Sequence, residues 1–321
     1  MFLGVDGGGT KTAFALIDSH GRVLARHEAS SAYYLEVGMD GAAAMLERGC
    51  GALFAAAGVT ASDIAFAFFG LPAYGEDRVI QPQLDALPRA VLSHDRYLCD
   101  NDMVCSWAGS LACADGISVI AGTGSMAYGE FAGRRARAGG WGELFSDEGS
   151  AHWIARAGLA LFSRMSDGRA PRGPLYDLVR ERLALREDLD LCQVVYGELK
   201  GERSRVAALS RLVSEAAALG DRQAEAIIEA AASELVNIVD AVRTALGVAP
   251  GLEVAVSYTG GLFGADGPLR EPFAKALAAR VRPYRLTPPR LAPALGAALY
   301  AARSAGTPLS AAALERLAGA H

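Results

Sequence analysis

Apolar runs and short polar breaks alternate along the first part of the chain. Runs at residues 2–6, 11–18 and 22–30 are separated by glycine, serine and histidine turns, which predicts three short strands joined as a meander. An alanine-rich segment at residues 38–57 predicts a helix, and the unbroken apolar run at 64–71 predicts a buried strand. We therefore expect an α/β fold.

The middle of the chain repeats this opening pattern. Residues 91–99 predict a strand that ends at the acidic segment 100–102, where a helix is expected to begin. Strands predicted at 116–122 and 126–133 again flank a turn of glycine and hydroxyl residues. The repetition predicts two related domains that face each other across a cleft.

The second half is predominantly helical before one last strand. The basic run Arg134–Arg137 predicts a solvated turn after a strand. The remaining elements are predicted as helical structure over residues 148–246 with a long helix at 221–246, a strand at 253–261, and helices at 269–279 and 293–304.

Composition narrows the class of protein and of partner. A chain of 321 residues, 51% of them hydrophobic, can fill about two domains. With 21% charged residues and a net charge of -5, no broad basic surface is expected for nucleic acid or anionic membrane, which favours a small-molecule ligand. The five cysteines form no CxxC pair, and the N-terminal segment MFLGVD lacks the regions of a signal peptide, so we expect a cytoplasmic protein with reduced thiols.

The first glycine turn, Gly7–Gly9, follows Asp6 directly. Bare backbone at the end of a strand exposes successive N–H groups, which can hold phosphate oxygens. A carboxylate beside phosphate requires a divalent cation between them, so the segment predicts a magnesium-nucleotide site. A tight hairpin with a capping acid is the alternative for this segment taken alone.

Two further turns have similar chemistry. The turn at Gly122–Ser125 could hold the same polyphosphate from the other domain, while Gly260 and Gly261 would let a flat base approach the backbone. No P-loop signature occurs in the chain. A dinucleotide fingerprint is matched at Gly122, Gly124 and Ala127, but the residues that follow are poor helix formers, which disfavours it.

Together these motifs resemble the N-acetylglucosamine kinase group of the BadF/BadG/BcrA/BcrD-type ATPases, within the actin-like superfamily of sugar kinases. The segments that carry the resemblance are DGGGTKT at 6–12, NDM at 101–103, AGTGS at 121–125, GGWGELFSDEGSAHWIA at 139–155 and TGGL at 259–262. The resemblance implies two ribonuclease H-like domains around an ATP cleft. They would span residues 1–113, with a returning C-terminal helix at 291–321, and residues 114–290, with a helical insertion.

The resemblance also implies a catalytic residue. Asp102 corresponds to the family's catalytic aspartate, which accepts the proton of the sugar hydroxyl as that oxygen attacks the γ-phosphate. Asp100 is the rival candidate at the end of the same predicted strand. Asp102 ranks first because the helix is expected to begin there.

The cofactors implied by the resemblance are ATP and Mg²⁺, and further residues take roles around them. Asp6 would help to place magnesium. The other implied roles are phosphate binding by Gly8, Gly9, Thr10, Lys11, Thr123 and Gly124, nucleotide contacts at Gly260 and Gly261, and a sugar pocket at Asp102, Gly140, Asp147 and Ala151.

Simple chemistry agrees with a role for Asp102. Phosphoryl transfer depends mainly on alignment and charge neutralisation, so one positioned carboxylate that orients the alcohol is sufficient. A structural alternative for Asp102 is a helix cap, and Asp147 with Glu148 could instead stabilise the start of the following helix. Carboxylates that accept hydrogen bonds from adjacent sugar hydroxyls are the functional alternative for Asp147.

Three positions depart from the family pattern. Tyr33, Pro72 and Met126 stand where relatives that use N-acetylglucosamine commonly carry polar groups. The expected reaction is transfer of the γ-phosphate to the 6-hydroxyl of an amino sugar, with N-acetylglucosamine first, and with glucosamine or another hexose as alternatives because of these changes. A BadF-type activator of an iron–sulfur dehydratase is a further alternative, and a homodimer is a family expectation.

Overall fold

The chain folds into two compact units. The computed structural model describes residues 1–319. One unit contains Met1–Ser118 together with the segment that begins at Thr287, and the other contains Val119–Leu286. We call them the first unit and the second unit.

Ten strands are present within residues 1–319. They are β1 (Phe2–Gly7), β2 (Lys11–Ile17), β3 (Val23–Ser30), β4 (Phe66–Leu71), β5 (Tyr97–Asn101), β6 (Gly116–Ala121), β7 (Ser125–Phe131), β8 (Arg134–Gly139), β9 (Val254–Thr259) and β10 (Tyr284–Leu286).

Twelve α-helices are present in the same part of the chain. They are α1 (Tyr34–Ala57), α2 (Gln81–Leu92), α3 (Met103–Ser110), α4 (Ala151–Ser166), α5 (Pro174–Arg182), α6 (Asp190–Cys192), α7 (Arg203–Ala207), α8 (Ser210–Ala218), α9 (Arg222–Ala245), α10 (Arg270–Ala278), α11 (Pro293–Ser304) and α12 (Ala311–Ala318). A short π-helix follows α6 at Gln193–Glu198, and 3-10 helices lie at Ala61–Asp63 and Gly261–Phe263.

The first unit is built on a mixed sheet with the strand order β3-β2-β1-β4-β5. The three opening strands form the predicted antiparallel meander, and β4 and β5 continue the sheet in parallel. Most side chains of β1 and β4 are buried, as expected of central parallel strands covered by helices. The carboxyl ends of β1, β4 and β5 lie along one edge of the sheet.

Helix α11 packs almost backbone to backbone against this sheet and against α3. A Cβ added at Gly4 of β1 would lie 2.2 Å from the backbone N of Ala298, and one at Gly296 would lie 2.1 Å from the backbone N of Gly109. The ring of Tyr300 meets Trp107 of α3 edge-on at 6.1 Å. These glycines allow a close approach that holds α3 against the sheet.

The second unit repeats the same strand order. Its sheet runs β10-β9-β6-β7-β8, so β6, β7 and β8 follow one another as the opening strands do, and β9 and β10 extend the sheet on the other side of β6. Helix α9 lies against this sheet, with α4 and α8 packed on it. The α/β fold with two ribonuclease H-like domains, one for each sheet, is confirmed.

Two predicted elements were wrong in their bounds or type. The strand predicted at 91–99 begins only at Tyr97, because Val91 and Leu92 belong to α2, whose buried Leu84, Pro88 and Leu92 recur every four residues. Its two prolines had hidden this helix from the pattern, although the first lies in the opening turn, where proline fits.

The basic run 134–137 is also different from its prediction. It forms the outer strand β8, paired with β7 from Phe131↔Arg134 to Met126↔Gly139, and is not a turn. Arg135 pairs with the buried carboxylate of Glu130 across the two strands at 3.0 Å. Charged side chains suit an exposed strand at the edge of a sheet, which is why the local pattern resembled a turn.

The predicted long helix at 221–246 and the helix at 293–304 are confirmed as α9 and α11. The C-terminal segment 291–321, expected as one returning helix, contains both α11 and α12. Residues 320 and 321 of that prediction lie outside the described residues. Within residues 1–319, no helix is both long enough and apolar enough to cross a bilayer.

Candidate functional site

The first glycine turn joins β1 to β2. The N–H of Gly8 donates to the carbonyl of Lys11 at 2.8 Å, which closes the hairpin, while Gly9 and Thr10 are exposed. A Cβ at Gly9 would meet no atom within 4 Å. The turn therefore presents bare, accessible backbone at the end of β1, as a phosphate-binding turn requires.

A serine that sequence reasoning did not single out supports this turn. The hydroxyl of Ser31 donates to the carbonyl of Gly8 at 2.9 Å and accepts the N–H of Tyr33 at 3.0 Å. Pro72 also lies close to the turn, since a Cβ at Gly7 would lie 3.0 Å from its Cδ. Two of the three unusual positions, Tyr33 and Pro72, thus lie around the first glycine turn.

Asp6, at the end of β1, lies in an unfavourable place for a negative charge. Burial and the nearby carboxylate of Asp102 raise the pKa of Asp6 to about 7, and the Cys105 thiol and the Lys11 ammonium group offset this only in part. The ammonium group of Lys11 is 2.7 Å from the carboxylate of Glu28 on the exposed side of the hairpin. A divalent cation would remove this electrostatic cost.

Asp6 therefore fits the expected role in placing Mg²⁺. Mg²⁺ is commonly bound through one or two carboxylates, with waters and substrate phosphates as its other ligands. No group of three or more His, Cys, Asp or Glu side chains that could hold a metal by themselves occurs in residues 1–319. With Asp6 and the nearby Asp102 as the available carboxylates, the site suits an ion that is bound together with a nucleotide.

Asp102 lies at the junction between β5 and α3. The side chain of Asp102 makes no capping hydrogen bond to the helix. Asn101 does so instead, since its Oδ1 accepts the N–H of Met103 at 3.2 Å while its amide donates to the carbonyl of Tyr74. The alternative that the Asp102 side chain is the helix cap is therefore wrong. Sequence reasoning missed the capping role of the buried Asn101.

The rival acid Asp100 lies within β5. It is paired in register with Gly70 of β4, and its Oδ1 accepts the N–H of Asn101 at 2.8 Å. Gly70 is in turn in register with Asp6 of β1. Asp6 and Asp100 thus lie on one row across three strands, with Asp102 two residues beyond that row.

Close packing positions the start of α3. A Cβ at Gly70 would lie 2.2 Å from the sulfur of Cys105 and 3.1 Å from the Cα of Asp102. Cys105 is fully buried, its thiol lies 3.5 Å from the carbonyl of Val5, and burial raises its pKa. The thiol is a packing group that helps to hold Asp102 beside Asp6.

The second glycine turn lies between β6 and β7 and is tied to the start of α4. The N–H of Gly122 donates to the carbonyl of Gly124 at 2.9 Å. The first two N–H groups of α4 donate to the turn, Ala151 to Gly122 at 2.9 Å and His152 to Thr123 at 3.3 Å. The predicted residues Thr123, Gly124 and Ala151 are therefore brought together.

Asp147 reaches the same turn from the segment before α4. It is 2% exposed, has a left-handed backbone with φ of 60°, and its Oδ1 lies 3.5 Å from the backbone N of Ser125. Its other oxygen accepts a hydrogen bond from Arg203. The start of α4 is capped by Ser150, whose hydroxyl accepts the N–H of Trp153 at 3.1 Å, so Asp147 is not needed as the cap.

The remaining predicted residues of the second unit lie close by. Gly260 has φ of 101°, and a Cβ there would lie 2.3 Å from the carbonyl of Ala121, just before the second glycine turn. Gly261 has open space around it. A Cβ at Gly140 would lie 2.4 Å from Cε of Met126, the third unusual position.

Arg203 is the main residue of this region that sequence reasoning missed. Its guanidinium group pairs with Asp147 and lies 3.4 Å from Glu143, and a Cβ at Gly124 would lie 2.2 Å from its Nη2. No motif contains this arginine, and it is 56 residues from Asp147 in the chain. Only folding of the helical insertion brings it to the turn.

Comparisons with known proteins agree with these motifs. The chain is 28% identical over 316 residues, 95% of this chain and 98% of the relative, to an N-acetyl-D-glucosamine kinase of Dictyostelium discoideum. It is 34% identical over 180 residues, 55% of this chain and 58% of the relative, to an N-acetylmuramic acid/N-acetylglucosamine kinase of Clostridium acetobutylicum.

A solved structure is similar over nearly its full length. The crystal structure of a putative N-acetylglucosamine kinase from Chromobacterium violaceum superposes with a TM-score of 0.74 at 26% identity, covering 92% of this chain and 97% of that one. Residues 3–301 match the BadF/BadG/BcrA/BcrD ATPase family. The chain therefore belongs to the BadF/BadG/BcrA/BcrD ATPase family.

Proposed function

We propose that this protein is an ATP-dependent sugar kinase that transfers the γ-phosphate to the 6-hydroxyl of an amino sugar, with N-acetylglucosamine as the first candidate substrate. The near-complete coverage of the Dictyostelium relative supports this proposal. The arrangement of acids and glycine turns within each unit supports it independently.

The position of Asp102 is the observation that carries the proposal. It stands at the carboxyl end of the parallel strands, beside Asp6, and its side chain does not cap the helix that it precedes. In the reaction, its carboxylate would accept a hydrogen bond from the sugar hydroxyl and take the proton as that oxygen attacks the γ-phosphorus. The bond from the γ-phosphorus to the β,γ-bridging oxygen would break, and ADP would leave with that oxygen. Because bond formation to the nucleophile lags in a loose transition state, a strong base is not needed.

Phosphate binding is assigned to the two glycine turns. Gly8, Gly9, Thr10 and Lys11 in the first unit, and Thr123 and Gly124 in the second, would donate backbone and side-chain hydrogen bonds to phosphate oxygens. Lys11 would have to leave Glu28 for this purpose, at small cost because that ion pair is exposed.

Asp6 is assigned to hold the nucleotide's Mg²⁺, and a bound Mg²⁺ would neutralise charge on the phosphate oxygens. Gly260 and Gly261 are assigned to the nucleotide, since the first brings the end of β9 against β6 and the second leaves open backbone.

Asp147, Gly140 and Ala151 are assigned to sugar recognition. Met126 lies beside Gly140, and Tyr33 and Pro72 lie near the first glycine turn, so the proposed sugar pocket would offer fewer polar partners than the family pattern provides. A pocket that loses a hydrogen-bonding partner discriminates less against substrates that lack the matching group. Glucosamine and other hexoses are therefore the alternative substrates to test.

A coupled ADP-release assay tests this function. The purified protein with Mg²⁺ and ATP is offered N-acetylglucosamine, glucosamine, N-acetylmuramic acid, glucose and mannose. We expect the highest kcat/KM with N-acetylglucosamine, and a phosphorylated product detected by mass spectrometry. Release of ADP that no sugar accelerates would contradict the proposal, and iron bound after anaerobic purification would favour the dehydratase activator instead.

The acceptor position needs a separate substrate. With 6-deoxy-N-acetylglucosamine, which lacks only the proposed acceptor oxygen, we expect binding without ADP release. Turnover of this analogue would assign the reaction to another hydroxyl while leaving the kinase activity itself intact.

A further inference from the structure

Arg203 holds a position beside the second glycine turn that the proposed function does not use. It is the first residue of α7, in the helical insertion, and its side chain is 38% exposed. Its Nη2 donates to Asp147 and lies close to Gly124, where an added Cβ would be 2.2 Å away. A side chain at position 124 would displace this guanidinium group.

Asp147 creates the need for this arginine. Its Oδ2 would lie 2.9 Å from a Cβ at Gly124, so a nearly buried carboxylate adjoins the turn that is assigned to phosphate. An ionised carboxylate in that position repels a polyphosphate, and burial strengthens the repulsion because water screens it poorly. Without a compensating cation the turn would be a poor anion site.

The other charged groups of this region do not supply that cation. Glu143 adds a second carboxylate, 3.4 Å from Arg203. Arg156 lies further along α4 and donates to the carbonyl of Glu143 at 3.1 Å, not to Asp147. Burial lowers the pKa of His152, so its imidazole is neutral near pH 7.

We propose that Arg203 is a positioning residue that neutralises Asp147 and thereby makes the second glycine turn able to bind the nucleotide's phosphates. This inference rests on the proposed function, because it assigns nucleotide phosphates to that turn. Arg203 acts through Asp147. It holds one carboxylate oxygen while the other remains near the N–H of Ser125, so the acid keeps its place without repelling the nucleotide.

Calorimetric titration with adenosine, AMP, ADP and ATP in Mg²⁺ tests this inference without any sugar. Removal of the cation in Arg203→Gln is expected to weaken ATP binding at least about tenfold, with a smaller loss for AMP and none for adenosine. The loss grows with phosphate number because the repulsion from Asp147 grows with the ligand's charge.

The double variant Arg203→Gln/Asp147→Asn decides between mechanisms. Since it removes both charges, it is expected to bind ATP within about threefold of the wild type. Failure of this rescue would overturn the inference, because Arg203 would then contact the phosphates itself. Unchanged ATP affinity in Arg203→Gln would overturn it as well.

Arg205→Gln is the matched control, since Arg205 lies two residues further in the same helix and pairs with the exposed Glu202. Its nucleotide affinities should equal those of the wild type. If Arg203→Gln does not fold because it leaves a buried carboxylate unpaired, the double variant is compared with Asp147→Asn, which keeps the positive charge of Arg203 beside the turn. ATP should bind more tightly to Asp147→Asn than to the double variant, and equal ATP affinities would overturn the inference. A wild-type protein that binds no adenine nucleotide would instead refute the proposed function, and this inference with it.

Discussion

The two units have the same strand order but place charge around their glycine turns in opposite ways. In the first unit, Asp6 adjoins a second carboxylate, Asp102, and its pKa is raised to about 7. In the second unit, the buried Asp147 adjoins a guanidinium group, that of Arg203. One turn thus has two acids beside it, and the other has an ion pair.

Under the proposed function, this difference would give the two units different tasks in phosphoryl transfer. Two adjacent acids favour a cation, so the first glycine turn would bind phosphate together with Mg²⁺, and an adjacent acid would take the proton of a hydroxyl. A neutralised acid leaves the turn free to accept an anion, so the second unit suits phosphate. Substitutions of acids in the two units should therefore impair different properties, the rate of catalysis for Asp102 and sugar binding for Asp147.

The largest expected effect is that of Asp102→Asn. Loss of the proton acceptor should reduce kcat by about 10²–10⁴-fold while ATP binding persists, because the side chain takes part in proton transfer and not in nucleotide binding. ADP release and calorimetric titration measure the two effects. Asp95→Asn, which removes an exposed acid of the same unit, is the control, and near-normal turnover of Asp102→Asn would remove Asp102 from the mechanism.

In the second unit, Asp147→Ala should act on the sugar. Loss of charge-assisted hydrogen bonds to sugar hydroxyls is expected to raise the sugar KM about 10–100-fold. ATP affinity should not fall, because the variant removes no positive charge from the second glycine turn. Equal losses in sugar and ATP binding would show that Asp147 has only a structural role.

The two sheets can be compared through the free energy of unfolding of glycine variants. Gly70 lies in β4, and Gly260 follows β9, the corresponding strand of the second sheet. Gly70→Ala and Gly260→Ala should each lower the free energy of unfolding by about 1–3 kcal/mol, measured by urea denaturation, because the new Cβ meets atoms at 2.2 and 2.3 Å. Gly261→Ala, with open space around it, is the control.

The obstacles at these two glycines differ in kind. At Gly70 the nearest atom is the sulfur of Cys105, so Cys105→Ala should partly restore the stability of Gly70→Ala. At Gly260 the nearest atom is a backbone carbonyl, that of Ala121, which no side-chain substitution removes. If Cys105→Ala does not restore the stability of Gly70→Ala, the contact with the Cα of Asp102 is the dominant one at Gly70.

The last prediction concerns the contribution of Asp6 to thermal stability. Because the pKa of Asp6 in the folded state is raised from 3.8 to about 7, its ionisation destabilises the fold, and stability should fall as pH rises from about 4 to about 7. Asp6→Asn removes this fall, and its melting temperature at pH 8 should exceed that of the wild type by a few degrees.

The same comparison at pH 4 is the control for Asp6→Asn. There the carboxyl group is protonated in the folded protein, so the advantage of the variant should shrink toward zero. In the wild type, saturating Mg²⁺ and ATP should reduce the difference at pH 8. A variant that is less stable than the wild type at pH 8 would contradict the electrostatic account of the first unit.

Elements with strong local signals were predictable from the sequence. The opening meander, α9 and α11 have clear periodicity or glycine turns at their ends, and each signal depends on neighbouring residues. The family was predictable for the same reason, since its motifs are short and contiguous. Helix α2 was missed because its two prolines are unfavourable signals for a helix, although its buried residues pack with helical spacing. Strand β8 was predicted as a turn because its arginines indicate a solvated segment, although charged side chains also suit a strand at the edge of a sheet.

Residues adjacent in the chain were enough to specify the type of fold, the family and the glycine turns with Asp6 and Asp102 near them. Two other features arise only in the folded chain, namely the capping of α3 by Asn101 and the neutralisation of Asp147 by Arg203. The cap depends on backbone geometry at one junction. The ion pair joins residues 56 positions apart, and no local pattern encodes their contact.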